Sequence, residues 1–356
     1  MSMFAHPDFD NHEIVSFGSD EESGLRAIIA VHSTALGPAV GGCRMFDYAD
    51  EAAALTDALR LSRGMTYKSA LAGLPMGGGK AVIMGDPQTR KTPALLRAMG
   101  RFVETLNGLY ITAEDSGTTV ADIKMIGTAT AHVSGVIDAD KFGGDPSPYT
   151  ALGTYAGIKA AARHRLGVDS LDGIRVAIQG AGSVGFYLAE LLLADGAQVF
   201  AADVNAANLD RVVQLGATPV DPQSVLFADV DVLAPCAMGG VINDHTVERI
   251  AAPIIAGAAN NQLATPGHAA MLREQNILYA PDFVINAGGI IDIHYQRVKS
   301  DEATIRTHVL QIADTLTQIF DQAAQTGKTT DQVACIMAEA RFKSDGATCA
   351  AALKSA

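Results

Sequence analysis

Between Gly64 and Gly85 the chain reads GMTYKSALAGLPMGGGKAVIMG, and its charged residues are two lysines, Lys68 and Lys80. Two cations in an apolar, glycine-rich stretch suit a site that holds an anion and moves a proton. If both face one space, burial and mutual repulsion would each push a lysine pKa down. One could then act as a base near neutral pH while the other stays charged. Two lysines snorkelling from an apolar surface would give the same string. A phosphate-binding P-loop is excluded, because that motif needs glycine where Leu74 stands and serine or threonine where Ala81 stands.

Further on, YITAEDSGTT (Tyr110 to Thr119) sets Glu114 and Asp115 side by side after a short apolar strand. Either could exchange a proton with a reacting nitrogen, and either could equally be a turn or cap residue. A third candidate is Gly180-Ala181-Gly182-Ser183-Val184-Gly185, a complete GxGxxG string. Its first glycine allows a tight turn, its second lets backbone approach a pyrophosphate, and its third lets helix and strand pack closely. Asp203 closes the next strand at about the 20-residue offset where an acid binds ribose hydroxyls and repels a 2′-phosphate, which favours NAD over NADP.

The elements that would position these residues follow from periodicity. Ile14 to Phe17 and Leu25 to Val31 read as strands, and Asp50 to Ser62 as a helix with Asp50 as N-cap. The glycine-rich stretch Gly73 to Gly79 then leads into a short strand, Ala81 to Met84. A second helix runs from about Pro93 to Leu106. KFGGDPSP (Lys141 to Pro148) is a cluster of turn-formers suited to a domain boundary, and Thr150 to His164 is helical after it. Ile174 to Ile178, the glycine turn, Val184 to Ala194 and Gln198 to Ala202 then form β–turn–α–β, half of a doubly wound sheet. Further strands are expected at Val230 to Leu233, Ile254 to Ala256 and Ile277 to Tyr279. Beyond about Thr304 the chain reads as helical.

The chain has 356 residues, 48% apolar and 18% charged, which suits two packed domains. Its formal charge of −13 disfavours nucleic-acid binding. With no apolar run of membrane-spanning length and no signal-like start, the expectation is a soluble cytoplasmic protein. Cys43, Cys236, Cys335 and Cys349 are scattered, so they are expected as reduced thiols rather than metal ligands or disulfides.

Several longer strings carry a resemblance. GPAVGGCRM (Gly37 to Met45), ALRLSRGMTYKSALAGLPMGGGKAVI (Ala58 to Ile83), YITAEDSGTT, APCAMGGVIN (Ala234 to Asn243), GAANNQL (Gly257 to Leu263) and YAPDFVINAGG (Tyr279 to Gly289) resemble the glutamate/leucine/phenylalanine/valine dehydrogenase family. The similarity runs in order over nearly the whole chain and is closest to the leucine dehydrogenases. It implies an α/β protein with an N-terminal substrate-binding and oligomerisation domain (residues 1–145) and a Rossmann-type NAD domain (146–329). An active-site cleft would separate them, and a C-terminal helix (about 330–356) would pack back onto the first domain. A homo-oligomer is implied, with no metal, no nucleic acid and no membrane.

The same resemblance assigns roles. Lys68 would bind the substrate carboxylate, Lys80 would activate the attacking water, and Asp115 rather than Glu114 would relay protons at the amino nitrogen. Met65, Gly77, Gly78 and Asn261 would lie at the substrate. Thr150, Gly180, Gly182, Ser183, Val184, Gly185, Asp203, Ala237 and Asn261 would lie at the dinucleotide. The reaction implied is hydride loss from Cα to NAD, water addition to the iminium, and release of a 2-oxo acid and ammonia, all reversible.

Val40, Gly41, Ala113, Ile290 and Ile293 would line the side-chain pocket. Glutamate-specific members carry lysine where Val40 stands, so an apolar side chain (leucine, isoleucine or valine) is expected. Leucine-type members usually have a larger residue at Val40 and smaller ones at Ile290 and Ile293, and a longer counterpart of the KFGGDPSP loop. Those departures keep an aromatic substrate, phenylalanine or tryptophan, as an alternative. A dehydrogenase for hydroxy acids or carboxylate-free amines, or an inactive NAD-binding regulator, fits the retained lysines and acid less well.

Overall fold

A computed structural model describes residues 3–136 and 145–343. Residues 141–144 of the expected boundary stretch and 344–356 of the expected C-terminal segment lie outside the described residues. The chain divides into two units. One comprises Met1–Gly144 with Gln296–Lys299 and Ala338–Gly346, and the other comprises the remainder.

In the first unit, β1 (Ile14–Asp20), β2 (Leu25–Ser33), β3 (Ala39–Phe46), β4 (Gly77–Met84) and β5 (Tyr110–Glu114) form one sheet in the order β1-β2-β4-β3-β5. The β1–β2 and β2–β4 pairs are antiparallel, while β3 runs parallel to β4 and to β5. One face is covered by α1 (Glu51–Leu71), where Ala54, Ala58 and Leu59 pack on Ile28, Ala30 and Val82. The other is covered by α2 (Pro93–Glu104) and α3 (Val120–Ile126) over Ile29, Ile83 and Tyr110. Asp50 and Thr92 cap α1 and α2 by accepting from Ala53 N and Leu95 N.

Three local expectations need correction. α1 does not stop near Ser62 but continues to Leu71, so Met65 and Lys68 lie on its last two turns. Lys80 is not in a glycine loop; the glycines begin β4, a central strand bonded on both sides. Glycine is tolerated there because neighbouring backbone replaces side chains: a Cβ on Gly78 would overlap Thr66 N of α1. Finally, periodicity marks no element over β3, with its two consecutive glycines, yet this strand lies between β4 and β5.

The second unit begins with α4 (Ser147–Leu166), then β6 (Arg175–Gln179), α5 (Ser183–Ala194), β7 (Gln198–Ala202), α6 (Ala206–Leu215) and β8 (Thr218–Pro219). β9 (Val232–Pro235), β10 (Ile254–Ile255), α7 (Gly267–Glu274), β11 (Leu278–Tyr279) and α8 (Asp282–Ile285) follow. Its six-stranded sheet has the order β11-β10-β9-β6-β7-β8, and every pair is parallel. This is the doubly wound dinucleotide-binding order, with strand order reversing between β6 and β9. Buried Ala177, Leu233, Ile255 and Leu272 belong to its core.

The chain then runs through α9 (Gly288–Val298), α10 (Glu302–Leu310), α11 (Ile312–Thr326) and α12 (Thr330–Phe342). The last turn of α12 belongs to the first unit. There Tyr67 donates to Glu339 Oε1 at 2.6 Å and Arg341 donates to the Ala70 and Leu71 carbonyls at 2.7 and 2.9 Å. Those bonds satisfy backbone oxygens at the end of α1. No described helix is long and apolar enough to cross a membrane.

Candidate functional site

The first unit gathers its chemistry around β4. Alternation along a strand places Gly78, Lys80 and Val82 on the face that α1 covers. The absent side chain of Gly78 lets α1 settle onto the strand at Thr66. Lys68 follows Thr66 on the helix, and Lys80 follows Gly78 on the strand. Lys68 is half-buried, whereas Lys80 is only 4% exposed. A cation buried to that degree needs a partner. Lys80 Nζ has one in Asp115 Oδ2.

Asp115 opens the turn after β5. Its amide donates to Thr118 Oγ1 at 3.0 Å, and that hydroxyl donates to the Cys43 carbonyl at 2.8 Å, which ties the turn to β3. Room for the carboxylate comes from Gly42, where a Cβ would stand 2.6 Å from Asp115 Cβ and Oδ2. Its other oxygen accepts from Arg44 Nε at 3.0 Å and from the Ser116 amide at 2.7 Å. Arg44 in turn donates to Asp57 at 2.9 Å, and Tyr48 donates to the same Asp57 oxygen at 2.6 Å. Burial alone would raise the Asp115 carboxyl, but the Lys80 ammonium and the Arg44 guanidinium outweigh it and hold it at about 2. Asp115 is therefore a carboxylate throughout the physiological range.

Sequence reasoning did not single out Arg44, Gly42, Asp57 or Tyr48. A usable signal was present for Arg44, a cation within the apolar string AVGGCRMF. It became informative only once that string was a strand beside Asp115. Glu114, the other acid of the pair, is exposed at the end of β5.

The expected pocket residues have the following positions. Val40 and Ala113 are buried, at 0% and 6% exposure, on β3 and β5, where Val40 pairs with Ile111 and Gly42 with Ala113. Gly41 is buried, and its carbonyl accepts from Tyr110 Oη at 2.7 Å. A Cβ on Gly77 would overlap the Ser33 carbonyl, so protein occupies that space. Met65 is half-buried on α1. In the second unit, Ile290 is buried and Ile293 half-buried one turn apart on α9, sharing a face.

The second unit's site is made of backbone. Gly180 has φ +98°, in the left-handed region, and a Cβ there would meet Ala237 Cβ at 2.6 Å. A Cβ on Gly185 would overlap the Gly180 carbonyl, so helix and turn pack as the third glycine of the fingerprint requires. Gly182 is the N-cap of α5; nothing lies within 4 Å of its Cβ position and no side chain caps the helix. The amides opening α5, from Ser183 and Val184, thus have no side-chain cap at the positive end of the helix. Asp203 Oδ2 accepts from the Ala181 amide at 2.7 Å, which places the acid against the turn.

The turn follows β6, Asp203 follows β7, Ala237 follows β9 and Asn261 follows β10, so all lie beyond carboxyl ends of parallel strands. These residues fit a dinucleotide: an uncapped helix start and open space for phosphates, and an acid for ribose. Asn261 is left-handed (φ +52°), and its carbonyl accepts from the Gly240 amide at 2.7 Å. Thr150 lies elsewhere in the unit, donating to Pro146 O at 3.0 Å, with its Oγ1 2.7 Å from the Cβ position of Gly289.

Comparison with known proteins agrees with this geometry. The family described as Glu/Leu/Phe/Val dehydrogenase, dimerisation domain, matches residues 12–132. Glutamate/Leucine/Phenylalanine/Valine dehydrogenase matches residues 203–345. A leucine dehydrogenase of Geobacillus stearothermophilus is 46% identical over 344 residues, 96% of this chain and 94% of the relative. An L-tryptophan dehydrogenase of Nostoc punctiforme is 48% identical over 333 residues, 93% of each chain. The crystal structure of L-tryptophan dehydrogenase from Nostoc punctiforme superimposes with a TM-score of 0.82 at 46% identity, covering 93% of this chain and 96% of that one. With both family patterns matched in order and such identity over nearly its full length, the chain belongs to the Glu/Leu/Phe/Val dehydrogenase family.

Proposed function

We propose that the protein catalyses the reversible, NAD-dependent oxidative deamination of an apolar aliphatic L-amino acid to its 2-oxo acid and ammonia. The observation that carries this reading is the buried Lys80–Asp115 pair, backed by Arg44, on a strand packed against the helix bearing Lys68. A carboxylate and an ammonium kept together out of water can pass a proton between an amino nitrogen and a water molecule.

The dinucleotide, when bound, supplies an acceptor for the hydride leaving Cα. The chain's own residues do the remaining work. Lys68 holds the substrate carboxylate and so orients Cα. Asp115, already ionised, takes a proton from the substrate's amino nitrogen. Once its ammonium has released a proton to solvent, Lys80 as a neutral amine holds the attacking water and takes up that water's proton. Asp115 returns its own proton to the departing nitrogen, and the carbinolamine collapses with loss of ammonia. Gly180, Gly182, Ser183, Val184 and Gly185 would hold the pyrophosphate, with Ala237, Thr150 and Asn261 toward the nicotinamide. Asp203 would bind the adenosine ribose, and its carboxylate disfavours a 2′-phosphate.

Val40 supports an apolar side chain, because a glutamate carboxylate beside it would be desolvated without a partner. Gly41, Ala113, Ile290 and Ile293 complete the proposed aliphatic lining. A second reading, an aromatic L-amino acid, is favoured by the L-tryptophan dehydrogenase relative at 48% identity. Homo-oligomerisation through the first unit and a cytoplasmic location accompany the reading, the former supported by a family pattern described as a dimerisation domain.

The test is NADH formation followed spectrophotometrically against all twenty L-amino acids, with 2-hydroxy acids and simple amines as controls. Leucine, valine or isoleucine should give the highest kcat/KM. Preference for phenylalanine or tryptophan would select the second reading, and no turnover of any amino acid would overturn both.

A further inference from the structure

The second unit contains a cavity of about 270 Å³ beside β11, the edge strand of its sheet. β10 and β9 separate that strand from β6, which carries the glycine turn. The walls come from the end of α4, from α7 and its turn into β11, and from the α11–α12 junction. His164, Arg165, Arg273 and Lys328 line it, and no aspartate or glutamate does. In a chain of formal charge −13 such a local excess of cations requires a reason.

Their contacts fix where these groups lie. Arg165 donates to the Asn276 carbonyl at 2.7 Å, in the turn between α7 and β11. The Arg273 guanidinium stands 3.4 Å from the Cβ position of Gly327, the neighbour of Lys328. His164 is paired with Asp321 at 3.3 Å, so the arginines and Lys328 carry the unpaired charge among the described residues.

Arg165 and Arg273 sit in the last turns of α4 and α7, where helix dipoles favour cations. Lys328 likewise follows Gly327, the C-cap of α11, so all three cations stand at helix C-termini that converge on one cavity. Lys328 immediately precedes Thr329, which caps α12 by accepting from the Gln332 amide at 3.2 Å while its own amide donates to Gln332 Oε1 at 3.1 Å. Lys328 also precedes the positive end of the 13-residue α12, whose first turn carries Asp331. Thr330 donates to the Tyr279 carbonyl at 2.6 Å, which holds that helix start against β11.

We propose that this cavity binds a small phosphate-bearing metabolite, with the phosphate between Arg165, Arg273, Lys328 and the start of α12. Three cations and a helix N-terminus match a dianion, and two guanidinium groups can bind phosphate oxygens in parallel pairs. The volume admits a phosphate and a few attached atoms, not a whole dinucleotide. The site is distinct from the glycine turn and independent of the amino acid used.

The test is a calorimetric titration of the full chain with inorganic phosphate, with NAD in excess so that the glycine turn is filled. Saturable binding is expected, weakened about tenfold or more by Arg273→Ala and by Lys328→Ala, with the thermal midpoint essentially unchanged. Equal phosphate affinity in wild type and the double variant would overturn the proposal. So would binding that disappears when NAD is added, which would place phosphate at the glycine turn. Should Arg273→Ala fail to fold, Lys328→Gln, which changes a half-buried side chain outside any helix, gives the same readout.

Discussion

The two sites of this dehydrogenase are built in opposite ways. Around Lys80 the first unit buries charged side chains and satisfies them with one another: Lys80 and Arg44 on Asp115, Arg44 and Tyr48 on Asp57. Around Gly182 the second unit offers bare backbone, an uncapped helix start and open space. A group that must move protons has to be held in a definite ionisation state, which takes neighbouring charges. A group that must hold phosphates needs amides and room, which a short glycine string provides.

The largest effect that could break this contrast is at Lys80. Lys80→Ala should lower kcat by roughly 10³-fold or more, since proton transfer and charge stabilisation are lost together. Lys68→Ala should instead act mainly on the KM for the amino acid. Equal and mild losses in steady-state kinetics for both variants would mean that neither lysine is part of a charged machine.

A paired glycine experiment sharpens the comparison. At Gly182 a valine has room in the fold but fills the approach to the helix start. Gly182→Val should therefore weaken NADH binding by about tenfold or more, read by fluorescence titration. Gly42→Ala places its Cβ 2.6 Å from the Asp115 carboxylate, so kcat should fall while NADH affinity holds. A loss of NADH affinity in Gly42→Ala would mean that the two sites are not separable.

The smallest effect is on stability in acid. Asp115 is held at about 2, below the ordinary carboxylate value of 3.8. Its contribution is complete above pH about 4 and is lost as pH falls through about 2, with a size of about 2 kcal/mol. Urea titrations comparing wild type with Asp115→Asn should show a gap at pH 6 that narrows by roughly half at pH 3. The buried His32, lowered to about 4 chiefly by burial and next by His12, acts in a higher window, with stability lost as pH falls from about 6.5 to 4. Both proteins share that term, so it cancels in the difference. A gap unchanged between pH 6 and pH 3 would falsify the Asp115 assignment.

Legibility followed the same division. GAGSVG marked the turn between β6 and α5 from local sequence alone, and Gln198 to Ala202 is a strand with those limits. The first unit was harder. Its glycines read as loop, but Gly41, Gly42 and Gly77 to Gly79 belong to strands, made acceptable by α1, Tyr110 and neighbouring backbone. Ser62 reads as a helix end although α1 runs on to Leu71, because the glycine at position 64 lowers helix propensity while tertiary packing carries the helix through it.

The sequence by itself determined the kind of chemistry available: two lysines in an apolar stretch, an acid pair, a dinucleotide fingerprint and the order of motifs that marks the family. It could not choose between Glu114 and Asp115 on local grounds, because adjacent residues share composition and differ only in direction. The tertiary structure gives the two acids different surroundings. It left Glu114 exposed at the end of β5 and turned Asp115 into the space beside Gly42, against Lys80 and Arg44. Those contacts join residues far apart in the chain, and only the packing of β3, β4 and β5 into one sheet brings them within bonding distance.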